Sequence, residues 1–151
     1  MAMRRFRKAE GEAKPALELD KKHGETMEFI EKLNFDDKGL IPTIIQDDVT
    51  GQVLTLCYMN KEALEKTMEE KKIYVFRRSK GRIMIKGETS GCIQIVKNVF
   101  VDCADNSVLF KVNQHRAACH KGYFSCYYSK VNEDGGLIVE GDRVFDPKEV
   151  Y

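Results

Sequence analysis

The stretch GLIPTIIQDDVTGQVLTLCYM, residues 39–59, sets the architecture expected for the rest of the chain. Two β-rich runs, Ile41 to Gln46 and Val53 to Met59, flank the turn-prone Asp47-Asp48-Val49-Thr50-Gly51. Short apolar, β-branched runs separated by Asp and Gly read as two strands of a hairpin. Directly after it, NKEALEKTMEEKK offers Asn60 as N-cap, Glu62 in the first turn, and Leu64, Thr67 and Met68 on one face. Terminal lysines then suit the negative end of the helix dipole, so the spacing predicts a helix.

Further short strands are expected in IYVFRR, RIMIKGE, CIQIVKNVFVDC, SVLFKVNQ and YFSCYYSKV, with turns at Ser79 to Gly81, Thr89 to Gly91 and Ala104 to Ser107. Links this short favour antiparallel pairing, because a parallel crossover needs about a dozen residues. The expected fold class is α+β, a mainly antiparallel sheet with one or two helices. Upstream, Leu17, Leu19, Met27, Ile30 and Leu33 suit one amphipathic helix lying on a core. The expected organisation is an N-terminal extension and helix over 1–34, a main unit over 35–131, and a tail over 132–151. A small hairpin around Glu140-Gly141-Asp142 is expected in the tail.

The 151 residues are about the size of one ordinary domain. A net charge of +1, from 25 basic and 24 acidic residues, argues against attachment to a nucleic-acid polymer or a membrane by bulk charge. No stretch approaches the roughly 18 to 20 apolar residues that span a bilayer, and MAMRRFRKAEGEAKPALELD lacks the apolar segment of a secretion signal. The expected compartment is the cytoplasm, where clustered thiols bind metal or react rather than pair.

Three of the five cysteines, Cys103, Cys119 and Cys126, fall within residues 101–126, and His120 follows the second. Catalytic zinc sites use three protein ligands and leave a fourth corner to water, whereas structural sites use four. Six residues separate Cys119 from Cys126, too many for a zinc-ribbon knuckle, so spacing alone leaves metal binding and plain thiols both open. Cys57 reads as a small buried hydrophobe, and Cys92 as either a bystander or a fourth thiolate closing the site. His120 is of the type that moves protons near neutral pH, or else makes a structural hydrogen bond. His23 and His115 read as surface residues.

A second constellation places Arg77, Arg78, Lys80, Arg82 and Lys86 near a turn, with Gly87, Thr89, Ser90 and Gly91 offering hydroxyls and approachable amides. That combination suits oxyanions such as phosphate. A solvated hairpin edge guarded by basic residues is the plain alternative.

The runs GLIPTIIQD, TGQVLTLCYMNKEAL, RSKGRIMIKGETSG, VDC and ACHKGYFSC, within Phe35 to Val131, together resemble the phosphoribosyl-AMP cyclohydrolase family of histidine biosynthesis. The resemblance implies an intertwined homodimer with zinc at the interface, held by Cys103, Cys119 and Cys126 drawn from both chains. It marks His120 as catalytic and implies that Lys86, Gly87, Glu88, Thr89, Ser90 and Gly91 line the substrate site, with Arg78 and Ser79 beside them. The implied reaction opens the adenine ring of 1-(5-phosphoribosyl)-AMP between N1 and C6 with a zinc-activated water. The basic residues then suit a substrate with two phosphates.

Several positions depart from the family. Its Asp-Cys-Asp-x-Asp pattern, which binds magnesium, is here Asp102-Cys103-Ala104-Asp105-Asn106. Only Asp102 stays in register, and Mg²⁺ favours anionic oxygens, so a weakened or absent magnesium site is expected. Cys92 replaces a histidine, Phe76 and Met84 stand near the places of tryptophans, and Lys121 stands where threonine is common. Two other readings stay open: a paralogue acting on another purine nucleotide or heterocycle, and a non-catalytic four-cysteine zinc or thiol-sensing module.

Overall fold

A computed structural model describes residues 27–149 other than 89. Helix α1 (Glu28–Glu31) and strands β1 (Ile41–Asp47) and β2 (Val53–Met59) precede helix α2 (Lys61–Glu70) and the hairpin β3 (Tyr74–Arg77) and β4 (Arg82–Ile85). Strands β5 (Gln94–Val101), β6 (Val108–Gln114), β7 (Ser129–Val131) and β8 (Leu137–Val139) follow, then a 3₁₀ turn at Pro147–Glu149. Of the amphipathic face expected upstream, Met27, Ile30 and Leu33 are buried; Leu17, Leu19 and His23 lie outside the described residues. Among the described residues no helix is long and apolar enough to cross a membrane.

The main sheet has the order β2-β1-β6-β5. Its outer pairs are antiparallel, as expected, but β1 and β6 run parallel. The short-link argument does not reach this pair, because about sixty residues separate the strands and leave ample chain for a crossover. Strand alternation puts Ile41, Thr43 and Ile45 of β1 beside Val108, Phe110 and Val112 of β6 on one buried face. Ile41, Ile45 and Phe110 are wholly inaccessible.

The opposite face carries an apolar row in register across the sheet: Leu56 opposite Ile44, Ile44 opposite Leu109, and Leu109 opposite Phe100. Leu56 and Phe100, at its two ends, are exposed.

Helix α2 starts where Asn60 accepts a hydrogen bond from the Ala63 amide (2.8 Å) and buries Ala63, Leu64, Thr67 and Met68. The Thr67 hydroxyl accepts from the Tyr74 amide (2.9 Å), tying the helix to the β3–β4 hairpin.

Two expectations near the C-terminus are corrected. Residues 123–128 form no named strand, because their backbone is spent on other partners: the Cys126 amide donates to the Leu54 carbonyl (2.7 Å) and the Phe124 amide to that of Asp142 (2.9 Å). Only Ser129–Val131 of that run is a strand. The terminal hairpin turns at residues 132–136, not around Glu140-Gly141-Asp142. Asn132 Oδ1 caps the Gly136 amide (2.7 Å), and Gly135 takes a φ of 91°, which suits glycine.

Asn60→Ala is expected to lower stability by about 1 kcal/mol through the lost cap, and Phe110→Ala by about 3 to 5 kcal/mol through cavity formation. Urea denaturation followed by circular dichroism checks both values and their order.

Candidate active site

Two loops meet beside the β2 edge. The first, residues 86–93, leaves β4 and curls back on itself: the Gly91 amide donates to the Gly87 carbonyl (2.8 Å) and the Cys92 amide to the Ser90 hydroxyl (3.2 Å). Gly87 has a φ of 89°, and a Cβ there would lie 2.6 Å from the Cys92 carbonyl carbon, so the curl needs glycine.

The second loop, residues 115–126, leaves β6. A register shift between Ile45 and Gln46 in the β1–β2 pairing interrupts the ladder near Leu54. The Leu54 carbonyl receives the Cys126 amide, and the Ser125 hydroxyl donates to Val53 (2.7 Å), which pins the loop to β2. From behind, Gln94 donates to Gln114 (2.8 Å) and Gln114 to the Phe124 carbonyl (2.8 Å). Across the gap between the loops, the Lys86 ammonium donates to the Ala118 carbonyl (2.8 Å).

A cavity of about 480 Å³ lies between them. Lys86, Gly87, Glu88, Ser90 and Cys92 line one side, and His120, Cys126, Ala117 and Ala118 the other. Arg77 and Lys80 add positive charge at its rim. A second cavity of about 670 Å³, sharing Val75 and Arg77 with the first, holds Arg78, Ser79, Lys38 and Tyr58. There the Arg78 guanidinium lies over the Tyr58 ring at 4.1 Å. Gly91 lines neither cavity, and Thr89 lies outside the described residues.

Cys119 and Cys126 are neighbours close enough to hydrogen-bond. Burial pushes the Cys126 thiol up; a hydrogen bond from the Thr55 hydroxyl opposes this, the Cys119 thiol adds to the rise, and the Lys86 ammonium opposes it. The Lys121 amide also points at Cys119 Sγ (3.4 Å). The third cysteine of the expected set is elsewhere: Cys103 sits exposed on the turn after β5. Among the described residues no three Cys, His, Asp or Glu side chains converge as a metal site. Cys92 is buried in a separate small cluster with Ala117 and Phe145.

Asp102 organises the turn around Cys103. One carboxylate oxygen accepts from the Asn106 (2.8 Å) and Ala104 (3.2 Å) amides, and the other from the Ser107 hydroxyl (2.9 Å). These bonds, with that from Asn106 foremost, hold its carboxyl below the usual carboxylate range. Sequence reasoning missed Thr55, Lys38 and Tyr58. Nothing in a strand threonine or a turn lysine distinguishes them until the loops pack beside them.

A cation-rich cavity with a histidine and one of two neighbouring thiols on its wall is the kind of site found in enzymes that bind anionic small molecules and move protons. The model of the phosphoribosyl-AMP cyclohydrolase family matches residues 55–128. The curated phosphoribosyl-AMP cyclohydrolase of Chlorobium phaeovibrioides is 46% identical over 123 residues, covering 82% of this chain and 90% of that protein. That of Pelotomaculum thermopropionicum is 46% identical over 122 residues, covering 81% and 95%, and that of Chlorobium limicola is 44% identical over 123, covering 82% and 90%. The chain belongs to the phosphoribosyl-AMP cyclohydrolase family, a family of enzymes.

Cys57 packs against the core, and burial pushes its thiol up to about 12. The thiolate is the reacting form, so Cys57 should alkylate at least about a hundredfold more slowly than Cys103 at pH 8, with its rate rising as pH climbs towards 12. Peptide-resolved mass spectrometry of iodoacetamide-treated, metal-free protein checks this; similar rates would contradict the raised thiol of the half-buried Cys57.

Proposed function

We propose that this enzyme opens the adenine ring of 1-(5-phosphoribosyl)-AMP by hydrolysis between N1 and C6, as a cytoplasmic step of histidine biosynthesis. The observation that carries the reading is the juxtaposition of His120 and Cys126 with Lys86, Arg77 and Lys80 around one cavity, in a chain so similar to curated cyclohydrolases. The two phosphates of such a substrate seat at cationic groups, one among Arg77, Lys80 and Lys86 and the other towards Arg78 and Ser79. Lys86 has three donors, so its bond to Ala118 leaves capacity for a phosphate. The curled loop at Gly87 and Ser90 brings backbone amides and a hydroxyl to the same wall.

Adjacent soft sulfur donors suit zinc, and Cys119 with Cys126 supply two of the three thiolates that a hydrolytic site needs. Cys103 is exposed and outside this pair, which favours its delivery from a second copy of the chain. The in-register row Leu56, Ile44, Leu109 and Phe100 offers an apolar face for such a homodimer. When bound, zinc would acidify the attacking water and polarise the ring carbon. His120, exposed on the cavity wall, takes a proton from that water and returns one to N1. The water oxygen ends on C6 as a carboxamide, and N1 leaves protonated. Asp102 has its oxygens engaged within its own turn, which supports a weakened magnesium site.

A continuous ultraviolet assay of zinc-loaded protein with 1-(5-phosphoribosyl)-AMP, with and without added Mg²⁺, should show turnover that Cys126→Ser reduces at least about a hundredfold. Absence of turnover by folded, zinc-replete protein overturns the reading. Light scattering should give a dimer, which Leu109→Glu dissociates by placing a charge on the apolar face; an unchanged mass in that variant counts against the face as the interface.

A further inference from the structure

Residues 140–146, beyond the 55–128 span matched by the family model, return across the loop that carries Cys119 and His120. The strap is closely bonded. The Phe124 amide donates to Asp142 (2.9 Å), the Val144 amide to Gly122 (2.6 Å), and Arg143 Nε to the Lys121 carbonyl (3.2 Å). Tyr123, paired with Arg143 in a β-bridge, stacks on Tyr128 with ring centroids 3.8 Å apart. Gly122 is wrapped so tightly that a Cβ would lie 2.0 Å from the Phe145 carbonyl oxygen.

At the end of the strap, Phe145 is only 8% exposed and packs with Cys92 and Ala117. Those two residues also line the cavity, from its opposite walls. The Phe145 ring thus joins the walls from behind. On its other side the Arg116 guanidinium lies over the ring at 4.6 Å. Arg116 has a φ of 73°, in the left-handed region that is strained for a non-glycine residue. A strained residue persists when its surroundings over-determine it, and the guanidinium-to-ring contact supplies such a restraint. Three residues later comes Cys119, then His120.

We propose that Phe145 is a positioning residue: wedged behind Cys92 and Ala117 and beneath Arg116, it fixes the Cys119–His120 loop against the Lys86 loop. The role rests on the reaction proposed above. Phe145 touches no substrate atom in that scheme, and the phosphate-binding groups lie on other elements. Its loss should therefore act on kcat more than on KM, since small misplacement of catalytic groups slows chemistry steeply.

The test compares Phe145→Ala and Phe145→Leu with wild type in the full-length protein. Two readouts are taken: steady-state kinetics on 1-(5-phosphoribosyl)-AMP, and peptide-resolved N-ethylmaleimide labelling of the metal-free protein. In Phe145→Ala, kcat should fall roughly tenfold with KM within about twofold, and Cys92 should label about tenfold faster while Cys57 stays protected. Phe145→Leu keeps most of the buried volume and should hold kcat within about threefold of wild type. Wild-type kcat in Phe145→Ala, or unchanged Cys92 protection, overturns the proposal. Loss of Cys57 protection would mark general unfolding in the alanine variant. Phe145→Leu then decides: Cys92 labelling faster than in wild type, with Cys57 protected, supports the strap, and wild-type labelling overturns it. Should wild-type protein itself lack turnover, the reaction assignment fails, and the Cys92 rates alone decide whether Phe145 holds the loop.

Discussion

Parallel pairing of β1 and β6 at the centre of the sheet is the constraint on which the remaining structure depends. Side chains of both strands interlock on one face, with Ile45 beside Phe110 and Thr43 beside Val108, all buried. Parallel neighbours cannot be joined by a tight turn, so the chain between them must leave the sheet and return. Helix α2, the β3–β4 hairpin and the Gly87 loop occupy that excursion. The return through β5, antiparallel to β6, brings the loop leaving β6 opposite the loop leaving β4, linked by the hydrogen bond from the His115 amide to Ile93 (3.0 Å).

The cavity is a consequence of this meeting. Neither loop has a regular ladder of its own, and each satisfies its backbone by local curls or by borrowing partners, such as the Leu54 carbonyl on β2 and the Asp142 carbonyl in the tail. The Lys86 ammonium bridges them, placing one positive charge between the cationic residues Arg77 and Lys80 and the thiol of Cys126. The same charge partly offsets the burial that pushes the Cys126 thiol up. Structure and chemistry are therefore coupled through one side chain.

Much of this was legible in local signals. The β1–β2 hairpin, the Asn60-capped helix and the β3–β4 hairpin follow from nearest-neighbour patterns of apolar spacing, caps and turns, and they fold as read. The parallel pair was missed because strand partners sixty residues apart leave no local trace. Residues 123–128 looked like a strand because Tyr, Phe and Cys favour extended backbone, yet their amides are claimed by the β2 edge and the tail. The C-terminal hairpin was expected at Gly141, whereas Asn132 and Gly136 provide the tighter cap. At the site, Lys86, Gly87, His120 and Cys126 stand out by residue type and spacing, while Thr55 and Lys38 do not.

By itself the sequence determined which chemistry was on offer: thiols, a histidine beside one of them, a basic hairpin and a glycine curl, in an order that marks the family. Those are properties of residue type and short spacing, and a linear chain carries them. Only the tertiary structure decided which of these groups meet. It paired Cys119 with Cys126, left Cys103 on a separate exposed turn, set Cys92 against Phe145, and drew the tail over the loop that carries His120. Such choices depend on long-range burial and on competition for backbone partners, and these exist only once the β1–β6 core has closed.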